Sequence, residues 1–181
     1  MPRYVALLRG INVGGNNIIK MTALKTCFET QGFADVATYI QSGNVLFRAS
    51  ASGAAKLAAG IEAALAATFS YKASIVLRSE AEMRAIVAGA PAGFGTRPDR
   101  YRYDVIFLRA PLTAAAVLED LPMQPGVDQA HAGRGVVYFS RLIAKATSSR
   151  LGKVVAMPMY KNMTIRNWNT STKLLQLLDA V

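Results

Sequence analysis

Short β-forming runs and amphipathic stretches follow one another in the same order in both halves of this chain. The first half contains six such segments in the order β, α, β, β, α, β, at residues 3–9, 22–31, 36–41, 45–48, 53–69 and 73–78. A run that is apolar on both faces, as at residues 4–8, predicts a buried strand, and apolar residues spaced by three or four predict helices. This order is that of the ferredoxin-like arrangement.

The second half repeats the order after a helix at residues 80–87 and a Gly/Pro/Arg-rich connection. The run at residues 104–109 mirrors residues 4–9, and the two runs end in Arg109 and Arg9. A helix at 113–121, a hairpin of 126–131 and 136–139, a helix at 147–157 and a strand at 163–166 complete the repeat. A last helix follows at 170–180, with Asn169 or Thr170 as its N-cap.

The sequence therefore predicts an α+β protein of two ferredoxin-like βαββαβ halves packed together, plus a C-terminal helix. The first half would occupy residues 1–88, the connection 89–102, and the second half with the final helix 103–181. A chain of 181 residues can bury a substantial core without disulfides or metals.

The cysteine and histidine counts exclude several classes of site. Cys27 and His131 are single residues of their type, so disulfide frameworks, structural zinc and two-histidine metal sites are excluded. Cys27 shares the apolar face of the predicted helix at 22–31 and is expected in the core, whereas His131 is expected at the surface or in a turn. We expect no metal and no cofactor. The N-terminal apolar run is too short for a signal peptide or a membrane span, so we also expect no membrane segment and a cytoplasmic location.

Positive charge is concentrated near the C-terminus. The formal net charge is +10, and residues 141–173 contain seven basic residues and no acidic one. Such a face can attract polyanions, including nucleic acid. The same charge also keeps an apolar-rich chain soluble without any anionic partner, and the sequence leaves both readings open.

A Gly/Asn-rich loop at residues 9–17 follows the first strand. Gly10, Gly14 and Gly15 permit positive φ and a close approach of a ligand to backbone amides, which favours anion binding. The loop matches neither a Walker loop nor the dinucleotide-binding fingerprint. The alternative is structural, with the asparagines bonding their own backbone. A tight turn would by itself explain Ser42-Gly43-Asn44 in the same way.

The segment Arg166-Asn167-Trp168-Asn169 joins the last strand to the last helix. In a structural interpretation Asn169 caps the helix, Trp168 fills a seam between the halves, and Arg166 pairs with a carboxylate such as Asp35 or Asp104. In a functional one, Arg166 and Asn167 lie beside the Gly/Asn loop and face a phosphate or carboxylate. Both remain open at this level.

Three segments together resemble the family known as domain of unknown function 1697: residues 7–17 (LLRGINVGGNN), 39–45 (YIQSGNV) and 166–170 (RNWNT). The resemblance spans nearly the whole chain. It implies an α+β fold with ferredoxin-like halves and no established activity. Ile165 and Ser171 replace the methionine and the valine that flank the third segment in that family, which affects only local packing.

The leading hypothesis is a protein, enzyme or not, that binds a small anionic or nucleotide-like ligand in a cleft between the Gly/Asn loop and the Arg-Asn-Trp-Asn segment. The alternative is a nucleic-acid-binding protein that uses the basic C-terminal third, including Lys145, Arg150 and Lys153. The central strands of the first half, however, lack the exposed aromatic residues of an RNA-recognition sheet. The sequence does not decide between enzyme and binding protein, and it leaves the oligomeric state open. The candidate ligand-binding residues are polar, glycine or cationic and lie in the three motif regions: Arg9, Asn12, Gly14, Gly15, Asn17, Lys20, Ser42, Asn44, Arg166, Asn167 and Asn169.

Overall fold

The computed structural model describes residues 1–50 and 53–180, which form two compact units. Of the described residues, the first unit contains 1–50, 53–83 and 174–180, and the second contains 84–173. In chain order the elements are β1 (Arg3–Leu8), α1 (Met21–Glu29), β2 (Ala34–Tyr39), β3 (Asn44–Arg48), α2 (Ala54–Phe69), β4 (Ile75–Ser79), α3 (Glu80–Ala88), β5 (Tyr101–Leu108), α4 (Ala114–Asp120), β6 (Asp128–Gly133), β7 (Val136–Leu142), β8 (Met163–Asn167) and α5 (Trp168–Ala180). No helix in these described ranges combines the length and apolarity needed to cross a lipid bilayer.

The first sheet has the strand order β2-β3-β1-β4 with antiparallel pairing throughout. Ala6 and Leu8 of β1 pack on one face with Leu24, Phe28 and Ile61 of the two helices α1 and α2. Residues 5–8 are all buried, which confirms that this central strand is covered on both faces. Cys27 is 4% exposed and belongs to the same core, as expected from the apolar face of α1.

The second sheet has the corresponding order β6-β7-β5-β8, again antiparallel. Ile106 and Leu108 of β5 pack with Val117 of α4 and with Leu151 and Val154 from the segment after β7. Each unit thus has the ferredoxin-like strand order, so the predicted fold class is confirmed.

Equivalent hydrogen bonds show how closely the two sheets correspond. The amide of Leu8 donates to the carbonyl of Gly43 at 2.8 Å, and the amide of Leu108 donates to the carbonyl of Gly135 at 3.0 Å. At the ends of the matching strands, the amides of Arg9 and Arg109 donate to the carbonyls of Ser74 and Asn162. The architectural duplication suggested by two strands ending in arginine therefore extends to backbone pairing.

The predicted α-helix at residues 147–157 is wrong. This part of the chain forms three 3₁₀ turns at Ile143–Ser148, Leu151–Ala156 and Pro158–Asn162. The buried residues Leu151 and Val154 are three apart, which matches the three-residue repeat of a 3₁₀ turn. Gly152, the β-branched Val154 and Val155, and Pro158 all disfavour a continuous α-helix.

The predicted N-cap of the last helix is also wrong. Helix α5 begins at Trp168, and the side-chain oxygen of Asn167 accepts a hydrogen bond from the Thr170 amide at 2.7 Å. Asn167 is the last residue of β8, so the strand passes into the helix without an intervening loop. An N-cap is usually expected in a polar linker before the helix. No such linker separates β8 from α5, so the sequence pattern favoured the later residues Asn169 and Thr170.

Candidate functional site

The tip of the Gly/Asn loop is a small exposed hairpin in the first unit. Val13 and Asn16 form an isolated bridge around Gly14 and Gly15, whose φ angles are +59° and +78°. Two consecutive positive φ angles are those of a type I′ turn, a conformation that strongly favours glycine. The tip glycines are therefore explained by the turn itself.

Asn12 and Asn17 of this loop bond to nearby backbone groups. The Asn12 amide nitrogen donates to the carbonyls of Ile19 at 3.1 Å and Gln41 at 2.9 Å, and its side-chain oxygen accepts from the Ile19 amide at 2.8 Å. The Asn17 side chain donates to the Gly10 carbonyl at 2.9 Å. These contacts support the structural interpretation of both asparagines.

The Ser42-Gly43-Asn44 turn lies against the base of the loop. A Cβ on Gly43 would collide with the Ile11 and Leu8 side chains, so the turn approaches the loop as closely as glycine allows. Asn44 is fully buried and donates to the Tyr39 carbonyl at 2.8 Å. The first unit thus brings the first two motif segments together in one hydrogen-bonded structure.

The two candidate cations of this region have different settings. Lys20 is exposed at the N-cap position of α1 and makes no side-chain cap there. Arg9 is half-buried, and its backbone amide closes the end of β1. Ligand binding by the Gly/Asn loop stays a prediction.

The second unit contains a cleft of about 320 Å³ beside the end of β8. Strand β8 pairs with β5 from Leu108 back to Asp104, whereas β5 extends to Tyr101 and is paired there with β7 only. Because the chain leaves the sheet at Asn167 and enters α5, the edge of β5 borders an open space. Its lining residues are mainly polar, cationic and aromatic: Gly95, Pro98, Tyr101, Arg102, Tyr103, Asp104, Arg141, Asn167, Trp168 and Asn169.

Two arginines face each other in this cleft. Arg102 of β5 lies directly opposite Arg141 of β7 in the antiparallel register. Like charges in such a pair repel, whereas Asp128 of β6 lies opposite Arg141 on its other side and Asp104 attracts both arginines. The Arg141 Nε is buried and has no hydrogen-bond partner among the residues that the structure describes. The pair therefore forms a cationic site with unused donor capacity.

Asp104 adds a carboxylate to the same cleft. It lies two residues from Arg102 on the same face of β5, and opposite Asn167 of β8. Burial raises the pKa of Asp104 above its usual value, and the attraction of Arg141 and Arg102 offsets the rise only in part. The cleft thus holds both hydrogen-bond donors and a strong acceptor.

Aromatic side chains form one wall of the cleft. Trp168 packs edge-to-face on Phe94, with 5.1 Å between ring centroids, and Phe94 also contacts Tyr103 at 4.8 Å. The guanidinium groups of Arg97 and Arg100 lie 5.9 and 5.7 Å from the Tyr101 ring centroid. The segment predicted only as a connection therefore builds part of the cleft.

Arg166 lies outside the lining of this cleft. Its Nη1 donates to Thr164 Oγ1 at 2.8 Å and to the Ile165 carbonyl at 3.0 Å. Burial lowers the pKa of Arg166 to about 10, and Tyr160 acts in the opposite direction. In the strand register Asp104 lies opposite Asn167, and the other suggested carboxylate, Asp35, pairs with Arg48 at 3.1 Å. Arg166 is therefore a buried cation of β8.

A smaller cleft of about 170 Å³ is lined by residues of the same unit, including His131, Gln129, Ser140 and Arg97. It shares the Tyr101 and Tyr103 side chains with the larger cleft. His131 is exposed on β6, in agreement with the surface position expected for it.

Of the predicted candidates in the second unit, Asn167 and Asn169 line the larger cleft together with Trp168. Sequence reasoning missed Arg102, Asp104 and Arg141. The sequence feature that could have indicated this site is the high arginine content of residues 97–102, which is equally typical of a solvent-exposed connection. Nothing in the sequence indicates that Arg141, almost forty residues away, would lie opposite Arg102.

Comparison with known proteins agrees with the fold. No curated protein matches the chain. Among solved structures, the chain is similar to the conserved bacterial protein SP0830 from Streptococcus pneumoniae, with a TM-score of 0.84, 28% sequence identity and 98% of each chain covered. The family model described as "Protein of unknown function (DUF1697)" matches residues 1–138. The chain therefore belongs to the DUF1697 family of proteins of unknown function.

Proposed function

We propose that this chain is a cytoplasmic protein that binds a small, anionic, nucleotide-like ligand in the cleft beside β8. The observation that carries the proposal is the pair of opposed arginines, Arg102 and Arg141, in that cleft. An anion between the two guanidinium groups would reduce their mutual repulsion and accept a hydrogen bond from the Arg141 Nε–H, which has no partner among the described residues. The single cysteine, which is buried and free, fits a reducing compartment.

The size and walls of the cleft favour a ligand with a planar ring. A volume of about 320 Å³ lies at the small end of the usual range for ligand pockets. Trp168 and Tyr101 provide aromatic surface for a ring, and Asn167 and Asn169 provide donors and acceptors. A nucleoside monophosphate combines the ring and the anion that these groups suit.

Isothermal titration calorimetry with AMP, GMP, UMP and inorganic phosphate tests the proposal. Nucleotide binding should weaken about 10- to 100-fold in Arg141→Gln and in Arg102→Gln, since each change removes charge-assisted hydrogen bonds. Arg134→Gln is the matched control, because Arg134 is exposed in the turn at the other end of β7. Absence of nucleotide binding, or equal affinities in the Arg141 and Arg134 variants, would contradict it.

The Gly/Asn loop stays a second predicted ligand-binding element, in the other unit. Arg9→Ala tests it in the same titrations, with Lys25→Ala on the exposed side of α1 as its control. Wild-type affinity in the Arg9 variant would restrict the proposed function to the cleft.

Nucleic-acid binding is a second candidate function, favoured by the exposure of Lys145, Arg150 and Lys153 in the 3₁₀ segment. If these residues neutralise phosphates, the affinity for single-stranded RNA should fall steeply with salt. The triple charge reversal K145E/R150E/K153E should then reduce the affinity and the salt slope together. Identical salt slopes before and after the reversal would reject this candidate.

A further inference from the structure

The cleft beside β8 has two chemically different ends, and this difference bears on which ring it would accept. Arg102 and Arg141 offer only donors, whereas the carboxylate of Asp104 offers only acceptors when ionised. Among the residues that the structure describes, no group donates a hydrogen bond to the Asp104 carboxylate. Burial raises its pKa, and the attraction of Arg141 and Arg102 offsets the rise only in part. A carboxylate held at this cost in a cleft is a candidate for a functional role.

We propose that Asp104 selects a guanine ring, and that the ligand of this cleft is a guanine mononucleotide. The inference rests on the proposed function above. A carboxylate has two acceptor oxygens side by side, so its best partner is a ring edge with two adjacent N–H donors. Guanine has such an edge in N1–H and the N2 amino group. Adenine and cytosine place a ring acceptor beside their amino group, which an ionised carboxylate repels.

The arrangement of the strands allows both ends of such a ligand to be bound at once. Asp104 and Arg102 are two residues apart on one strand, a spacing of about 7 Å, and Arg141 lies on the neighbouring strand opposite Arg102. The phosphate would lie at the arginine pair, and the N1/N2 edge at Asp104. The side-chain oxygen of Asn167 caps α5, so its amide nitrogen, opposite Asp104, is placed to donate to guanine O6 beside that edge, and Trp168 to contact the ring face.

The first test compares ligands on the wild-type protein by isothermal titration calorimetry. GMP should bind most tightly, IMP about tenfold more weakly because it lacks the N2 amino group, and AMP more weakly again. GMP and IMP carry the same phosphate and nearly the same ring, so their difference isolates one hydrogen bond. Equal affinities for GMP, IMP and AMP would overturn the guanine assignment and leave the proposed function intact.

The second test alters the acceptor. Asp104→Asn should lower the GMP affinity about 10- to 100-fold and abolish the preference for GMP over IMP, while inorganic phosphate should bind at least as tightly as in the wild type, because the variant lacks a negative charge that interacts with both arginines. Asp120→Asn, an exposed carboxylate at the end of α4, is the matched control. Retention of the GMP preference in Asp104→Asn would overturn the role of Asp104. If no nucleotide bound the wild-type protein, the proposed function itself would fail.

Discussion

Gly95 lies against the indole of Trp168, and substitution there tests how the cleft wall is built. Its φ angle is +82°, and a Cβ on this residue would overlap the Nε1 and Cδ1 atoms of Trp168. Gly93, two residues earlier, has nearly the same φ, +78°, but a Cβ there would meet only the Thr96 hydroxyl oxygen at 3.8 Å. The two positions share backbone strain and differ in available space.

The expected losses of stability follow from these two terms. Alanine in the left-handed conformation costs about 1–2 kcal/mol, and this cost applies to both Gly93→Ala and Gly95→Ala. The displacement of Trp168 adds about 1–3 kcal/mol for overpacking at Gly95 alone. We therefore expect a loss of about 1–2 kcal/mol for Gly93→Ala and about 2–5 kcal/mol for Gly95→Ala.

Urea denaturation followed by tryptophan fluorescence measures both losses, because Trp168 is the single tryptophan of the chain. Gly95→Ala should also change the native emission of Trp168 and weaken the proposed nucleotide binding in the cleft, whereas Gly93→Ala should do neither. Equal losses in the two variants, with unchanged native fluorescence in Gly95→Ala, would refute the packing of Gly95 on Trp168.

Three further predictions concern other groups. Tyr138→Phe should lower the free energy of unfolding by about 1–2 kcal/mol in urea titrations, because the buried Tyr138 hydroxyl donates to the Ile86 carbonyl at 2.6 Å; unchanged stability would contradict that bond. Asn12→Gly should lower the free energy of unfolding by about 2–3 kcal/mol, because three hydrogen bonds are lost. Asn12→Ala should lower it by about 1 kcal/mol more, because the φ angle of Asn12 is +53° and alanine is strained in this conformation. An alanine variant as stable as the glycine variant would argue against the left-handed backbone. Asp104→Asn should melt at a higher temperature than the wild type near neutral pH, because burial raises the pKa of Asp104 from 3.8. Below that ordinary value the carboxyl is neutral in both the folded and the unfolded state, so the difference in melting temperature should vanish there and grow as the pH rises through the folded pKa; a difference independent of pH would refute this origin.

The sequence was informative about the fold where periodicity was strong and local. The strand at residues 104–109 and the helix at 53–69 were recognisable because apolar patterning reports directly on burial. It failed at residues 147–157, where buried residues three apart resemble a helical stripe but Gly152 and Pro158 favour 3₁₀ turns. It also misplaced the cap of α5, since Asn167 belongs to β8 until the chain enters the helix.

The candidate site was less predictable. Asn167 and Asn169 were singled out by their motif, and both line the cleft. The amides of Asn12 and Asn17 were expected either to bind a ligand or to hold the loop, and their bonds to Ile19, Gln41 and Gly10 favour the second reading. The two readings differ only in hydrogen-bond geometry, which residue types do not specify.

The amino-acid sequence by itself indicated the succession of strands in both halves and the burial of their central strands, because these follow from local patterning. The resemblance of three motif segments indicated the family. Only the tertiary structure decided that β5 extends beyond β8, which leaves room for the cleft, and that the β5–β7 register places Arg141 opposite Arg102 there. Register and strand length depend on contacts between segments distant in the chain. The chemistry of the cleft arises from that register, and no single segment contains it.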